Sequence, residues 1–383
     1  DADPYQLNFR FFPENTANGQ YSLNLLFPYN GQLAFEKTNT IPNAALVPEE
    51  QTTWEIGTEL GFFDGRLTLD ATYFQNTTKN QFFEAPIPES TGFANRAINA
   101  GEIRNRGVEI ALNATVLQQG DFTWNSNVNF STAESEVLSL TEGVDRLLLA
   151  SGFSSLQVQA VPGKEFQLFG VPWLRDSVSG RPIINPNNGL RQAGEPQTFG
   201  SVFPDFIMGW NNSFTWKGLT VGFTIDWNQG GNFRSSSVEE LWVAGLTDET
   251  LDNRQGTFID REGVLINEDG TFRENDIPIR STQDWWQSLD DNSVAEATIF
   301  DATFVKLREA IISYRLPSSW FSGTPIRFVQ VGFEGRNLAL LYSTVPHIDP
   351  EASLFGSGAD GFGVERASVP STRSFGFNVQ FGL

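Results

Sequence analysis

The 383-residue sequence has no cysteine, one methionine and one histidine, and each scarcity removes a class of function. Without cysteine there are no disulfides and no thiolate metal sites, and His347 alone offers little for imidazole chemistry. Basic residues are few, 25 against 46 acidic, for a net charge of −21. Phosphate binding needs a basic footprint, so nucleic acid is excluded as a partner. The acidic residues collect in stretches such as 248–252 and 268–276, which read as solvated loops. Long apolar runs are also missing. Purely aliphatic runs reach only four residues, as at Leu147 to Ala150, far short of a membrane-spanning helix. If the chain crosses a membrane, it does so with strands.

Hydrophobic residues make up 39% of the chain, yet aromatics reach 13%, with 34 Phe and 10 Trp. Strands that face water on one side and lipid on the other, with aromatic girdles at the interfaces, account for both figures. The end of the chain shows the pattern. In Ser371 to Leu383, Phe375, Phe377, Val379, Phe381 and Leu383 share one face, and Ser374, Gly376, Asn378, Gln380 and Gly382 share the other.

The same alternation recurs. Glu50 to Phe62 puts Trp54, Ile56, Leu60 and Phe62 on one face and turns at Asp64-Gly65 into a partner strand, Arg66 to about Lys79. After a loop around 85–100, Ile103 to Leu117 turns at Gln118 to Asp121 into Phe122 to Glu136, whose inward face is rich in Asn. Asp205 to Trp216, Lys217-Gly218 and Leu219 to Gln229 form a third hairpin. Phe304 to Leu316 and Ile326 to Tyr342 flank a turn at 317–324, and phase slips near 308–311 and Asn337 predict β-bulges. Nine strands are clear, and 5–12 and 21–27 add two weaker candidates. Strand signals fade over 137–203 and 230–300, which read as long structureless loops.

All the short connections fall at one end of the strands and all the long ones at the other. A soluble sandwich has no reason to segregate loop lengths in this way, whereas an outer-membrane barrel has short periplasmic turns and long external loops. The fold class expected is all-β, a transmembrane antiparallel β-barrel, with the C-terminus on the periplasmic side.

Several segments resemble those of the SusC/RagA family of TonB-dependent outer-membrane transporters, in the family's order over roughly residues 43 to 383. They are Asn43 to Gly57 (NAALVPEEQTTWEIG), Asn99 to Asn113 (NAGEIRNRGVEIALN), Phe203 to Gly231, Ala302 to Pro317 (ATFVKLREAIISYRLP), Gly335 to Leu338 (GRNL), Ile348 to Glu351 (IDPE) and Pro370 to Phe377 (PSTRSFGF). The resemblance implies a barrel of about 22 strands enclosing an N-terminal plug, a TonB box before the plug, and a SusD-like surface lipoprotein as lid. It also implies import of an oligosaccharide or peptide energised by the TonB-ExbB-ExbD complex, in contact with the bilayer and its lipopolysaccharide, and a pairing of two transporter–lid units. No plug-like region, TonB box or signal peptide is visible in residues 1–383, so the chain reads as the C-terminal part of a longer polypeptide. No nucleotide-binding motif is present to supply energy, and no cofactor or enzymatic activity is expected. The other readings are a structural or adhesive barrel that binds partners through its loops, and a soluble glycan-binding β-protein.

Trp173, Trp242, Trp285 and Trp286 lie in the external loops, where aromatic faces contact a substrate or a lid as readily as they pack among themselves. Glu102 and Glu109 fit an acid–base pair by type, but their setting with Arg104, Arg106 and Gly107 reads as a lumen-side ionic and glycine-packing feature. Asn267 to Gly270 reads as a hairpin turn rather than a calcium loop, and His347 as a loop hydrogen-bonding residue.

Overall fold

The computed structural model describes residues 7–9, 11–13, 35–141, 143–151, 157–254, 256–352 and 363–382. Its main body is a meander of nine antiparallel strands, each hydrogen-bonded to the next in sequence. They are β1 (Glu50–Phe62), β2 (Leu67–Pro86), β3 (Asn95–Gln119), β4 (Phe122–Leu140), β5 (Phe206–Trp216), β6 (Leu219–Gln229), β7 (Phe304–Arg315), β8 (Phe328–Ser343) and β9 (Ser374–Gly382). Thr40–Ile41 adds a short parallel pairing at the start of β3. Among the described residues the sheet does not close, and β1 and β9 are its two edges.

Turn chemistry explains the short connections. Asp64 (φ 55°) and Gly65 (φ 81°) form a two-residue turn in which the Arg66 amide donates to the Phe63 carbonyl at 3.2 Å, and Lys217 (φ 47°) and Gly218 (φ 85°) repeat the conformation. Positive φ at both positions matches the twist of the flanking strands, which is why Asp-Gly and Lys-Gly stand there.

Register then sorts the side chains. One row runs Leu60, Leu69, Leu112, Val128, Trp210, Ile225, Leu307, Ala339 across eight strands. A second runs Trp124, Phe214, Val221, Ile312, Phe333, Phe377 from β4 to β9. These rows make one unbroken apolar face, and Phe377 on it is 72% exposed. The opposite face carries Gly61, Thr68, Asn113, Asn127, Asn211, Thr224, Glu309, Arg336 and Ser374 in one row over all nine strands.

The bulges fall where the phase slips place them. Arg308 is the extra residue of β7 against β6, and on β8 Asn337, with φ 52°, and Leu338 lie between the pairs made by Arg336 and Ala339.

Three expectations need correction. Residues 85–100 are not simply a loop, because β2 runs to Pro86 and β3 begins at Asn95. Ala97 is buried there and Phe83, Ala85 and Ile98 pack against the lobe core, so these extensions do not carry the lipid-against-lumen contrast that marks the rest of the strand. The last strand begins at Ser374 rather than Ser371, because the Ser371 amide and hydroxyl donate to Asp349 instead of joining the ladder. Leu383, residues 21–27 and part of 5–12 lie outside the described residues; Phe11–Pro13 pairs with Phe35–Lys37.

The long connections are not structureless. Residues 141–205 contain a four-stranded sheet formed by 147–151, 157–160, 167–170 and 197–201. Residues 230–303 contain helices α1 (Ser236–Val243) and α2 (Thr282–Asp291), capped by the Ser235 and Ser281 side chains on the Val238 and Asp284 amides. Asn232–Ser235 pairs with Ile299–Asp301 and, in parallel, with Val364–Glu365. Val158, Ala160, Leu168, Val202, Ala295 and Val364 share a core with Ile103 and Val137 of the meander, so all three long connections form one lobe at one end of the sheet. These strands are too short to show a period in the sequence.

Candidate functional site

The polar face is the first element of the site. Along its central row Asn113 donates to Thr68 at 3.2 Å, Asn127 to Asn113, Asn211 to Asn127 at 3.3 Å, and the Thr224 hydroxyl to Asn211 at 2.6 Å. Amides can donate and accept at once, so neighbouring strands linked this way form a continuous hydrogen-bonded surface without net charge. Toward β1 the character changes. Glu59 stands opposite Asp70, Glu109 lies opposite Thr72 on the next strand, and Glu55 completes the group. None of these four carboxylates forms an ion pair within the described residues, although like charges directly opposite repel.

The Asn99 to Asn113 motif divides between the faces. Gly107 is on the polar side, where a Cβ would come 2.7 Å from the Phe74 ring and closer still to the Thr132 carbonyl oxygen. Glycine there lets Phe74 lie across the strand, as the glycine-packing reading expects. The ionic part is not on that side. Arg106 pairs with Glu134 at 2.7 Å and Arg104 with Glu136, and both alternate with Val108 and Ile110 on the apolar side. Glu102 and Glu109 are seven residues apart along one strand, on the order of 20 Å, too far to act on one substrate bond.

At the lobe end a charge cluster fastens Asp349, Glu351 and Ser371 to the sheet. Lys306, 5% exposed, donates to Asp349 at 2.6 Å and Glu351 at 2.5 Å. Arg308, the bulged residue, bridges Asp226 and Glu351 at 2.5 Å each and donates to Asn337 at 2.8 Å. Burial pushes the Asp349 carboxyl up, but the Lys306 ammonium, the Ser371 hydroxyl and amide and the Glu351 amide outweigh it and hold it at about 2. Glu351 is likewise held below its ordinary range, with burial opposed by Arg308 and Lys306.

A second fastening lies under α1. Buried Arg234 donates to Glu239, while Glu365 accepts from the Ser235 and Ser237 hydroxyls at 2.6 and 2.7 Å. Burial raises the Glu239 carboxyl, with Arg234 acting against it. His347, with φ 64°, meets Glu249 at 2.9 Å, the loop hydrogen bond expected of it. Asn267 to Thr271 closes the hairpin between 264–266 and 272–274, with Thr271 donating to Asp269.

The four loop tryptophans converge. Trp173 is 5% exposed and packs with Leu289 and Val294, with Trp242 and Trp286 against them. Trp242 and Trp286 sit 5.1 Å apart, and the Arg191 guanidinium lies between the rings of Trp173 (5.9 Å) and Trp285 (5.0 Å) while paired to Asp260 at 2.7 Å. Trp173 thus serves the lobe interior, and Trp242, Trp285 and Trp286 are half-buried around it.

Above the polar face, beneath the lobe, lies a cavity of about 630 Å³ lined largely by apolar groups. Its lining includes Ile207, Phe233, Phe304 and Val369. Sequence reasoning missed it, because its walls come from three separate long connections.

A meander with one apolar and one polar face, short turns at one end and a folded lobe at the other, defines the wall of a β-barrel membrane protein. The model of the TonB-dependent receptor-like β-barrel family matches residues 5–338, and the chain belongs to that family. This family is one of outer-membrane receptors and transporters rather than enzymes. The chain is 27% identical over 407 residues to TonB-dependent receptor P26 of Formosa agariphila, covering 99% of this chain and 38% of the relative. It is 24% identical over 356 residues to receptor P3 of the same organism, covering 85% and 34%. With TonB-dependent receptor SusC of Bacteroides thetaiotaomicron it shares 26% identity over 231 residues, covering 57% and 23%. Among solved structures, the RagAB peptide transporter superposes with a TM-score of 0.69 at 18% identity, over 98% of this chain and 38% of that one. The chain therefore spans between about a quarter and two-fifths of the length of these relatives.

Proposed function

We propose that these residues form the C-terminal portion of the barrel of a SusC/RagA-type nutrient importer. The observation that carries this reading is the group Glu55, Glu59, Asp70 and Glu109, unneutralised among the described residues, on the polar face of a sheet whose two edges are open among those residues. Unpaired backbone in lipid costs several kcal/mol per group, so further strands complete the wall, and a domain inside it brings the opposing cations. That domain is the plug, preceded by a TonB box, both supplied from outside this chain and worked by TonB-ExbB-ExbD. The lobe faces the exterior and the C-terminus the periplasm, as the loop lengths favour. A SusD-like lipoprotein rests on the lobe, where Trp242, Trp285 and Trp286 are placed to touch it or the cargo. The cargo is an oligosaccharide or a peptide. Deleting the gene and following accumulation of labelled oligosaccharides and peptides tests this, and unchanged uptake of every solute would leave the adhesive-barrel reading in its place.

A further inference from the structure

We propose that Trp216, Lys217 and Tyr314 form a headgroup site for an acidic phospholipid of the leaflet nearer the short turns; this lies outside the importer reading and rests on the barrel wall. Trp216, Leu219, Tyr314 and Val331 make one register row on the apolar face, the row nearest the Lys217-Gly218 turn. Its two amphipathic rings, Trp216 and Tyr314, are 55% and 37% exposed. Lys217, at φ 47° in the turn, holds its ammonium 5.4 Å from the centre of the Trp216 ring. Gly218 lets Tyr314 close on the same turn, since a Cβ there would stand 3.7 Å from that ring and 2.8 Å from the Arg315 carbonyl oxygen. An ammonium, an indole N–H and a phenol thus border one turn. None of the three has a hydrogen-bond or ion-pair partner among the described residues.

Donors without an acceptor suit an anion, and the charge around them agrees. The turn segments 62–67, 117–123, 215–220 and 314–330 carry Arg66, Lys217, Arg315 and Arg327 against only Asp64 and Asp121. None of these four cations meets a carboxylate among the described residues, although the whole chain carries a net charge of −21. The adjoining surface says which anion fits. Val221, Ile312 and Phe333 continue the apolar face directly above the site, paired across three strands. Acyl chains lying there bring a phosphate to the level of Trp216 and Tyr314, and such rings sit where hydrocarbon meets headgroups. A free phosphate would leave that surface unused. A zwitterionic headgroup carries its own cation, so it gains less from Lys217 than an acidic one.

The test uses the complete protein in a neutral detergent, offered equimolar phosphatidylglycerol and phosphatidylcholine with the same acyl chains, and counts the lipids retained by native mass spectrometry. Phosphatidylglycerol should be retained about fivefold over phosphatidylcholine, the step expected for one cation at a headgroup. Lys217→Gln, at an exposed turn position that keeps Gly218, should bring the two lipids within about twofold of each other. Tyr314→Phe keeps the ring and should lower the preference part of the way. Lys164→Gln, at an exposed lobe lysine without an ion pair among the described residues, should leave it unchanged. Equal retention of both lipids by the unaltered protein, or an equal effect of Lys217→Gln and Lys164→Gln, overturns the site. Glycerol phosphate in excess should displace no lipid. Displacement by it would show a free-phosphate site in place of a lipid one and overturn the proposal as well.

Discussion

Glu59 faces Asp70 directly across the first two strands of the wall, and neither carboxylate has a cation among the described residues. Two like charges at this spacing, about 5 Å between Cβ atoms, raise the energy of the bare wall. On the proposed reading, a domain inside the barrel makes good that deficit in the complete protein. Glu59→Gln should therefore leave the wall itself as stable or slightly more so, by about 0.5 kcal/mol. It should loosen the enclosed domain, seen as faster hydrogen exchange in that domain. A slower exchange there would contradict the assignment.

Lys306 holds two carboxylates while almost entirely buried, so replacing it strands both. Lys306→Met should destabilise the attachment of residues 344–373 by about 3 kcal/mol, read as a selective gain in proteolytic cleavage of that segment. Asp349 has a carboxyl held at about 2 against an ordinary 3.8, so its contribution is complete above pH 3.8 and lost as pH falls toward 2. Its size is about 2 kcal/mol. Protection of 344–373 should thus persist at pH 5 and fall between pH 4 and 2, and loss already at pH 6 would contradict the account.

Much of this was legible in the sequence because a barrel wall has a strict period. The nine strands, the Asp64-Gly65 and Lys217-Gly218 turns and the bulges at Arg308 and Asn337 all follow from alternation and its interruptions. The lobe did not show itself. Its small sheet is made of strands of four and five residues, too short to show a period, and its tryptophans pack on one another, so neither leaves a local signal. Arg104 and Arg106 misled for a related reason. Above the apolar band a charged pair on the outward side looks the same in sequence as one facing the lumen.

Gly107 is the position where the Phe74 ring crosses β3, and no side chain fits beneath it. Gly107→Ala should cost about 1 to 3 kcal/mol, measured as a lower midpoint for the heat-induced mobility shift on electrophoresis. Phe74→Ala in the same background should recover part of that loss. Additive losses would mean that the ring and the glycine do not depend on each other.

Trp242 joins α1 to α2 through Trp286 and meets Phe300 edge-on at 6.1 Å. Trp242→Ala should weaken the lobe by about 2 kcal/mol and speed cleavage within 230–300, while the strands keep their resistance to unfolding. Equal weakening of lobe and wall would show that they unfold as one unit.

The central claim is that one face of this sheet lies against lipid and the other encloses a wet lumen, and the lack of cysteine makes it directly measurable. Single cysteines placed from 375 to 381 in the complete protein, in native membranes, can be labelled with a membrane-impermeant or a lipophilic maleimide. The account predicts that positions 375, 377, 379 and 381 react only with the lipophilic reagent, and 376, 378 and 380 with the water-soluble one. Reaction of all seven with the water-soluble reagent, or an inverted alternation, would contradict it.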